Sequence, residues 1–481
     1  MSYKQTLSNI YPKNVFPLAL QPAPAWIAIL GFIIVSAVLT LASAGLMRFV
    51  FPAGALIVSV FLYFRYPILY LGFNWWMWFL TPWVARIVDF RGAWDPQRTL
   101  IVAPYLVALV TFVTFVRHFP KSYKQGSLPL LLAFVGVFYG CLIGLINNTP
   151  VGVARSLLDW LTPLLFSFHL FINWRDYPSY RQNMQRTFLW GVLVTGAYGV
   201  VQYLVAPAWD RQWIINTELT TFGTPEPLGI RVFSTMNSVG PFASVMAAGL
   251  LLLFTSKAVL RLPAAVVGYL SFLLSLARTN WAAWLIGLTL MLGSLKARLQ
   301  MRLIITVVVL AVCVVPLVTI EPFSEVITSR LQSLTNLEND VSANERVGIY
   351  EQNFDRALSN LIGNGLGSVW DFNESGQLEA VVVDSGILDT FFTLGWLGAL
   401  PYIGGLILII FSLFQYNEAR FDPFMNTARA IGVSSFAQMV SGSAMLGLAG
   451  LVLWGFIGIS MAGHRYYQHQ YTTGMKGRAI K

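Results

Sequence analysis

Leu303-Ile-Ile-Thr-Val-Val-Val-Leu-Ala-Val-Cys-Val-Val-Pro-Leu-Val-Thr-Ile320 is an uncharged apolar run that stops at Glu321-Pro-Phe-Ser-Glu325. The polar stretch that starts there extends to Asp384, and a second apolar run then opens with Gly386-Ile-Leu-Asp-Thr-Phe-Phe-Thr-Leu-Gly-Trp-Leu-Gly398. A hydrocarbon core about 30 Å thick is crossed by about twenty residues of helix, and irregular polar backbone is not tolerated facing lipid. Residues 321–384 therefore lie outside the membrane on one face. They carry eleven acidic residues against Arg330, Arg346 and Arg356. A long polar loop set between spans is where a membrane protein is expected to place function.

Outward from this stretch the whole chain reads the same way. Of 481 residues 56% are hydrophobic and 11% charged, against roughly 25% charged in soluble domains. The expected fold is all-α and polytopic, with about 12–14 transmembrane helices. Candidate spans fall at 25–45, 49–64, 67–84, 100–116, 127–147, 151–172, 186–205, 239–255, 262–277, 280–295, 302–320, 386–415, 427–444 and 446–463. This divides the chain into about eleven spans over 1–320, a large external loop at 321–385, about three spans over 386–463, and a basic tail at 464–481. The net charge is +10 and the loop alone is −8, so the remainder carries +18. Basic residues gathered in short cytoplasmic segments explain that surplus without nucleic acid. With the amino terminus inside, Arg65, Arg117, the Arg175/Arg181/Arg186 group, Lys257/Arg261, Lys296/Arg298, Arg420/Arg429 and the tail all fall on one side. The acidic loop and the segment 206–238 then fall on the other. Residues 86–98, with Arg86, Asp89, Arg91, Asp95 and Arg98, read as a solvated outer loop with local ion pairs. Cys141 and Cys313 both sit in apolar runs, which argues against a disulfide framework or a cysteine metal site. The polar, proline-interrupted first 24 residues do not have the pattern of a cleavable signal peptide.

Three polar constellations are expected on the outer side. The first is Gly229-Ile-Arg231-Val-Phe-Ser-Thr-Met-Asn237, just before a span that opens with Gly240-Pro241. An arginine beside a helix amino terminus makes an anion site, while the same arginine could equally snorkel to lipid headgroups. The second, Ser275-Leu-Ala-Arg278-Thr-Asn-Trp281, joins two apolar segments. An arginine at that depth needs a partner or a polar cavity, and Arg278 either caps the turn or touches a ligand. The third is the large loop. Ser342-Ala-Asn-Glu345 has capping-box spacing and predicts a helix over about 343–359, with Val347, Tyr350, Phe354 and Leu358 along one side. Leu361-Ile-Gly-Asn-Gly-Leu-Gly-Ser368 ends that helix in turns and lacks the strand and helix of a nucleotide fold. Arg346 in its first turn opposes the helix dipole unless an anion is bound. Asp384, where the chain returns to the membrane, is either a cap for the next span or a base. In the sixth span, Arg155 and Asp159 have the i,i+4 spacing of a local ion pair.

Taken in order, Gly229-Ile-Arg231-Val-Phe with Met236-Asn237, Ser275-Leu-Ala-Arg-Thr-Asn-Trp281, Asn344-Glu-Arg346 with Asn360-Leu-Ile-Gly-Asn-Gly-Leu-Gly-Ser368, and Asp384 to Gly398 resemble the motifs of the O-antigen ligase and polymerase superfamily. The resemblance covers about 230–400. It implies an inverting glycosyltransferase that works without metal or other cofactor, in the bacterial inner membrane with its active site facing the periplasm. The implied donor is a glycan on undecaprenyl diphosphate. The implied partners, besides the bilayer, are a chain-length regulator protein and a flippase. By this resemblance Arg231, Arg346 and Asp384 are the catalytic candidates, and Arg278, Asn237, Arg330 and Tyr350 the substrate-binding ones. Where ligases of the family carry His-Asn, this chain has Asp384-Ser385, and His118, His169, His464 and His469 are all expected near the inner side. That departure favours a polymerase of oligosaccharide repeats over a ligase. A transporter of the same lipid-linked glycan is the competing class, and it would need ionisable residues along mid-span and inverted repeats.

Overall fold

The computed structural model describes residues 22–122, 126–218, 220–294, 358–372, 378–380 and 385–479, with isolated positions at 300, 301, 304, 305, 308 and 354. Its helices are α1 (Ala23–Ala42), α2 (Ala44–Arg65), α3 (Pro67–Arg91), α4 (Ala103–Leu109), α5 (Phe112–Ser122), α6 (Leu128–Asn147), α7 (Pro150–Ile172) and α8 (Tyr177–Val205). They continue with α9 (Ala208–Thr217), α10 (Val239–Leu253), α11 (Arg261–Leu274), α12 (Arg278–Ser294), α13 (Gly386–Gln415), α14 (Pro423–Gln438) and α15 (Gly447–Ala479). Among the described residues one short antiparallel pair of strands is present, β1 (Trp370–Phe372) with β2 (Leu378–Ala380), with Asp371 opposite Glu379.

Each candidate span outside 302–320 contains helix. Eight segments among the described residues are long and apolar enough to cross a membrane: α1, α2, Thr99–Pro120, α6, α7, Trp174–Val205, α13 and Gly447–Thr473. The expected 12–14 is thus met in part. Helices α10 and α11 have 15 and 14 residues, or about 21–23 Å at 1.5 Å per residue, which is short of a full crossing. The last helix departs from expectation in the other direction. It runs on to Ala479, so the basic tail from 464 is helical as far as Ala479 and continuous with α15.

Helix ends follow local chemistry. Thr149 caps α7 by accepting from the Gly152 N–H, and Asp422 caps α14 by accepting from the N–H groups of Phe424 and Met425. In the Gly447–Thr473 span 89% of the most apolar window is buried, against 6% in α1, so α15 is the central post and α1 lies at the edge. Helix α15 packs along α7 and α14, α13 along α6, and α11 along α8.

The glycine-rich segment 361–368 is a clasp between α6 and α13. Gly365 has φ +81°, and a Cβ there would meet the Gly144 backbone nitrogen at 2.2 Å. The Leu366 N–H donates to the Gly140 carbonyl (2.8 Å), and the Gly365 N–H to that of Thr393 (2.9 Å). Asn148 Nδ2 donates to the carbonyls of Asn364 (2.8 Å) and Leu366 (3.0 Å). Opposite this contact α13 kinks at Gly395 (φ +61°), which only a residue without a side chain adopts at low cost.

Candidate functional site

The segment that carries Arg231 is held in place from beneath by a buried polar network. The Arg231 N–H donates to the Phe222 carbonyl (2.8 Å), and the Val232 N–H to that of Leu274 (3.1 Å). Gln202 Oε1 accepts from the N–H groups of Phe233 (3.0 Å) and Ser234 (2.7 Å). Arg86 donates to the Ser234 carbonyl (2.5 Å), and its guanidinium lies 4.8 Å from the Phe233 ring centroid. Arg86 also pairs with Asp210 at 2.8 Å, with neither side chain exposed to solvent. The other Asp210 oxygen accepts from Tyr198 (2.8 Å) and Gln202 (2.9 Å). A buried guanidinium–carboxylate pair depends on such added hydrogen bonds, which here leave Arg86 Nε without one among the described residues.

This overturns the reading of 86–98 as a solvated loop. Arg86 and Asp89 belong to α3, and Asp89 pairs with Arg48 at 3.1 Å. Asp95 is buried and accepts from the N–H groups of Gln97 (3.1 Å) and Thr99 (2.8 Å). The Arg98 guanidinium lies 4.9 Å from the Trp213 ring.

Above this network lies a polar cavity of about 610 Å³. It brings together Arg231, Asn237 and Arg278, the three candidate site residues that the described part of the chain contains. The amino-terminal residues of three helices line it too: Ser238–Pro241 of α10, Arg278–Asn280 of α12 and Gly447–Ala449 of α15. Unpaired N–H groups and the positive end of the dipole make each such terminus attractive to an anion. With two guanidinium groups in the same wall, the cavity suits a multiply charged oxyanion. The turn before α12 has Leu276 at φ +54°, and its carbonyl accepts from Arg231 at 3.3 Å. Arg231 thus braces the turn for which Arg278 was one candidate cap. Deeper in, Asn280 Nδ2 donates to Ser244 Oγ (2.9 Å), which donates to Gln438 Oε1 (3.5 Å), tying α12, α10 and α14 together.

One acidic group belongs to this wall, and sequence reasoning assigned it elsewhere. Asp159 lines the cavity and accepts a hydrogen bond from the Tyr105 hydroxyl. Arg155 instead donates to the Gln97 carbonyl (2.5 Å), so the i,i+4 ion pair expected of these two is not formed. The available signal was a carboxylate inside an apolar span, which is a functional candidate before any partner is assigned to it. Trp78 stands edge-on to Tyr105, with centroids 4.6 Å apart, and gives the cavity an aromatic side.

Arg330, Arg346, Tyr350 and Asp384 lie outside the described residues, as does most of the helix expected over 343–359. The point where the loop returns is described. Ser385, next to Asp384, is the cap of α13, accepting from the Leu388 N–H at 3.4 Å. The Gly386 N–H donates to the Gly442 carbonyl (3.2 Å), and Gly442 itself lines the cavity. None of the four histidines lines it. His169 contacts Thr114 at 2.7 Å, and His464 pairs with Glu418 at 3.1 Å. Burial pushes the Glu418 carboxyl up, but the His464 hydrogen bond, a backbone hydrogen bond and the His464 charge together outweigh it and hold the group below its usual range. Searches of protein-family models and of curated proteins find no match to this chain.

Proposed function

We propose that the chain is a membrane glycosyltransferase that polymerises oligosaccharide repeats carried on undecaprenyl diphosphate. It would do so at the periplasmic face of a bacterial inner membrane. The observation that carries this reading is the meeting of Arg231, Arg278 and three helix amino termini around one cavity set among the spans. A diphosphate leaving group gains negative charge as its bond to sugar breaks. Fixed, permanently charged guanidinium forks and oriented N–H groups stabilise that charge at no reorganisation cost.

In the reaction an acceptor hydroxyl attacks the anomeric carbon of the donor. The new glycosidic C–O bond forms as the C–O bond to the diphosphate breaks, and the electron pair departs on the diphosphate oxygen. Arg231 and Arg278 hold the diphosphate, and Asn237 fixes its position. Residues 321–384 act as a lid that carries Arg346, with Arg330 and Tyr350, over the cavity. Asp384, at the hinge of that lid, orients the acceptor. A chain-length regulator and a flippase supplying the donor are the partners that the resemblance implies.

The test is to give purified protein synthetic undecaprenyl-diphosphate repeat units. A ladder of longer lipid-linked chains is expected, and Arg231→Ala and Arg346→Ala should abolish it while leaving membrane insertion intact. Lipid that crosses vesicle leaflets with no glycosidic bond formed would instead make the chain a transporter.

A further inference from the structure

We infer that Asp159 is the general base that takes the proton from the acceptor hydroxyl, with Tyr105 as its positioning residue. This rests on the glycosyltransferase reading above. The first argument is electrostatic. A cavity walled by Arg231, Arg278 and three helix amino termini is built for negative charge, and a carboxylate in it opposes that purpose. Asp159 forms no ion pair within 4 Å among the described residues, and the positive charge that acts on it is Arg155, outside the cavity lining, not Arg231 or Arg278. A carboxylate that neither neutralises the wall nor suits the diphosphate has a use only toward the other substrate, a sugar hydroxyl.

Geometry supplies the second argument. Tyr105 is the one hydrogen-bond partner of Asp159 among the described residues, and it occupies Oδ1. Oδ2 is left to accept from a hydroxyl. Gly447 at the start of α15 leaves room for the Tyr105–Asp159 contact, since a Cβ there would stand 3.2 Å from both Asp159 Oδ1 and the Tyr105 oxygen. Asp159 sits on α7 and Tyr105 on α4, both among the rigid spans, and a base held on such elements keeps its aim better than one on a loop. With no histidine in the cavity, Asp159 is the proton acceptor that the described lining provides.

The step balances simply. The acceptor O–H proton passes to Asp159 Oδ2 while the acceptor oxygen bonds to the anomeric carbon. The sugar–phosphate C–O electron pair leaves on the diphosphate, and the proton is then lost to water.

The experiment measures elongation rate and donor binding in parallel, using purified protein and a synthetic undecaprenyl-diphosphate repeat. Asp159→Asn keeps the shape and the Tyr105 contact. It is expected to lower the rate at saturating donor by about 100-fold or more, with donor affinity unchanged. Retained binding also shows that the variant is folded. Tyr105→Phe should lower kcat by a smaller factor and leave KM for the donor unchanged. Wild-type elongation with equally fast Asp159→Asn overturns the assignment alone. So does an Asp159→Asn variant that loses donor binding as Arg231→Ala does, or a rate loss that follows Asp384→Asn instead. A wild-type protein that binds donor but never forms a glycosidic bond overturns the glycosyltransferase reading and this assignment together.

Discussion

Arg86 and Asp210 are 124 positions apart, and each is fully removed from water when they meet at 2.8 Å. Truncating one would strand the other charge in the interior. Arg86→Ala is therefore expected to cost about 3–5 kcal/mol, read as a lowered thermal unfolding midpoint in detergent. Replacing both partners by apolar residues, Arg86→Met with Asp210→Leu, should cost much less, because no charge is left unpaired. Arg86 also holds the Ser234 carbonyl, three positions from Arg231, so the single variant should bind anionic ligands more weakly even where it stays folded. At this scale the sequence is informative only where the signal is local. Arg231, Asn237 and Arg278 are legible because each stands beside a helix start, and that pattern is written in neighbouring residues. Arg86 is not, because its partner is distant in sequence and nothing nearby separates a buried cation from a solvated one. Asp159 was misread for a related reason: Arg155 has the right spacing for a pair, yet turns to Gln97.

Helix positions were largely legible, since apolar runs of span length can adopt little else in a bilayer. Their ends and their bends were not. The kink at Gly395 in α13 and the extension of α15 to Ala479 come from what packs against each helix, which hydropathy does not encode. The same holds for 361–368, whose glycines announced turns but not their docking site. Asn148 shows how that docking is fixed, with one side-chain amide donating to the carbonyls of both Asn364 and Leu366. Asn148→Ala is expected to lower stability by about 1–3 kcal/mol and to raise protease sensitivity near 361–368. An unfolding midpoint and a cleavage pattern matching wild type would show that the clasp is not needed to seat this end of the loop. Gly365 should tolerate no side chain, because its φ of +81° and its contact with the Gly144 backbone both exclude one.

Among the described residues, one basic cluster lies at the end opposite the polar cavity. Arg181 pairs with Asp422, and Arg465 reaches the Phe171 carbonyl, so the basic clusters of three distant segments gather where α7 finishes. The polar cavity lies toward the end where α10, α12 and α15 begin, with Asp159 in the amino-terminal half of α7. The acidic surplus of 321–384 does not suit a diphosphate, so in the proposed reaction the load falls on a few arginines in the described helices and on any the loop brings to them. The cavity as the diphosphate site is the claim on which the rest depends. The most direct measurement is the affinity of purified wild type, Arg231→Ala and Arg278→Ala for a short-chain polyprenyl diphosphate. Each charge-assisted contact is worth about 1.5–3 kcal/mol, so each variant is expected to bind about 10- to 100-fold more weakly than wild type. Equal affinity in all three proteins would contradict the placement of the diphosphate in this cavity.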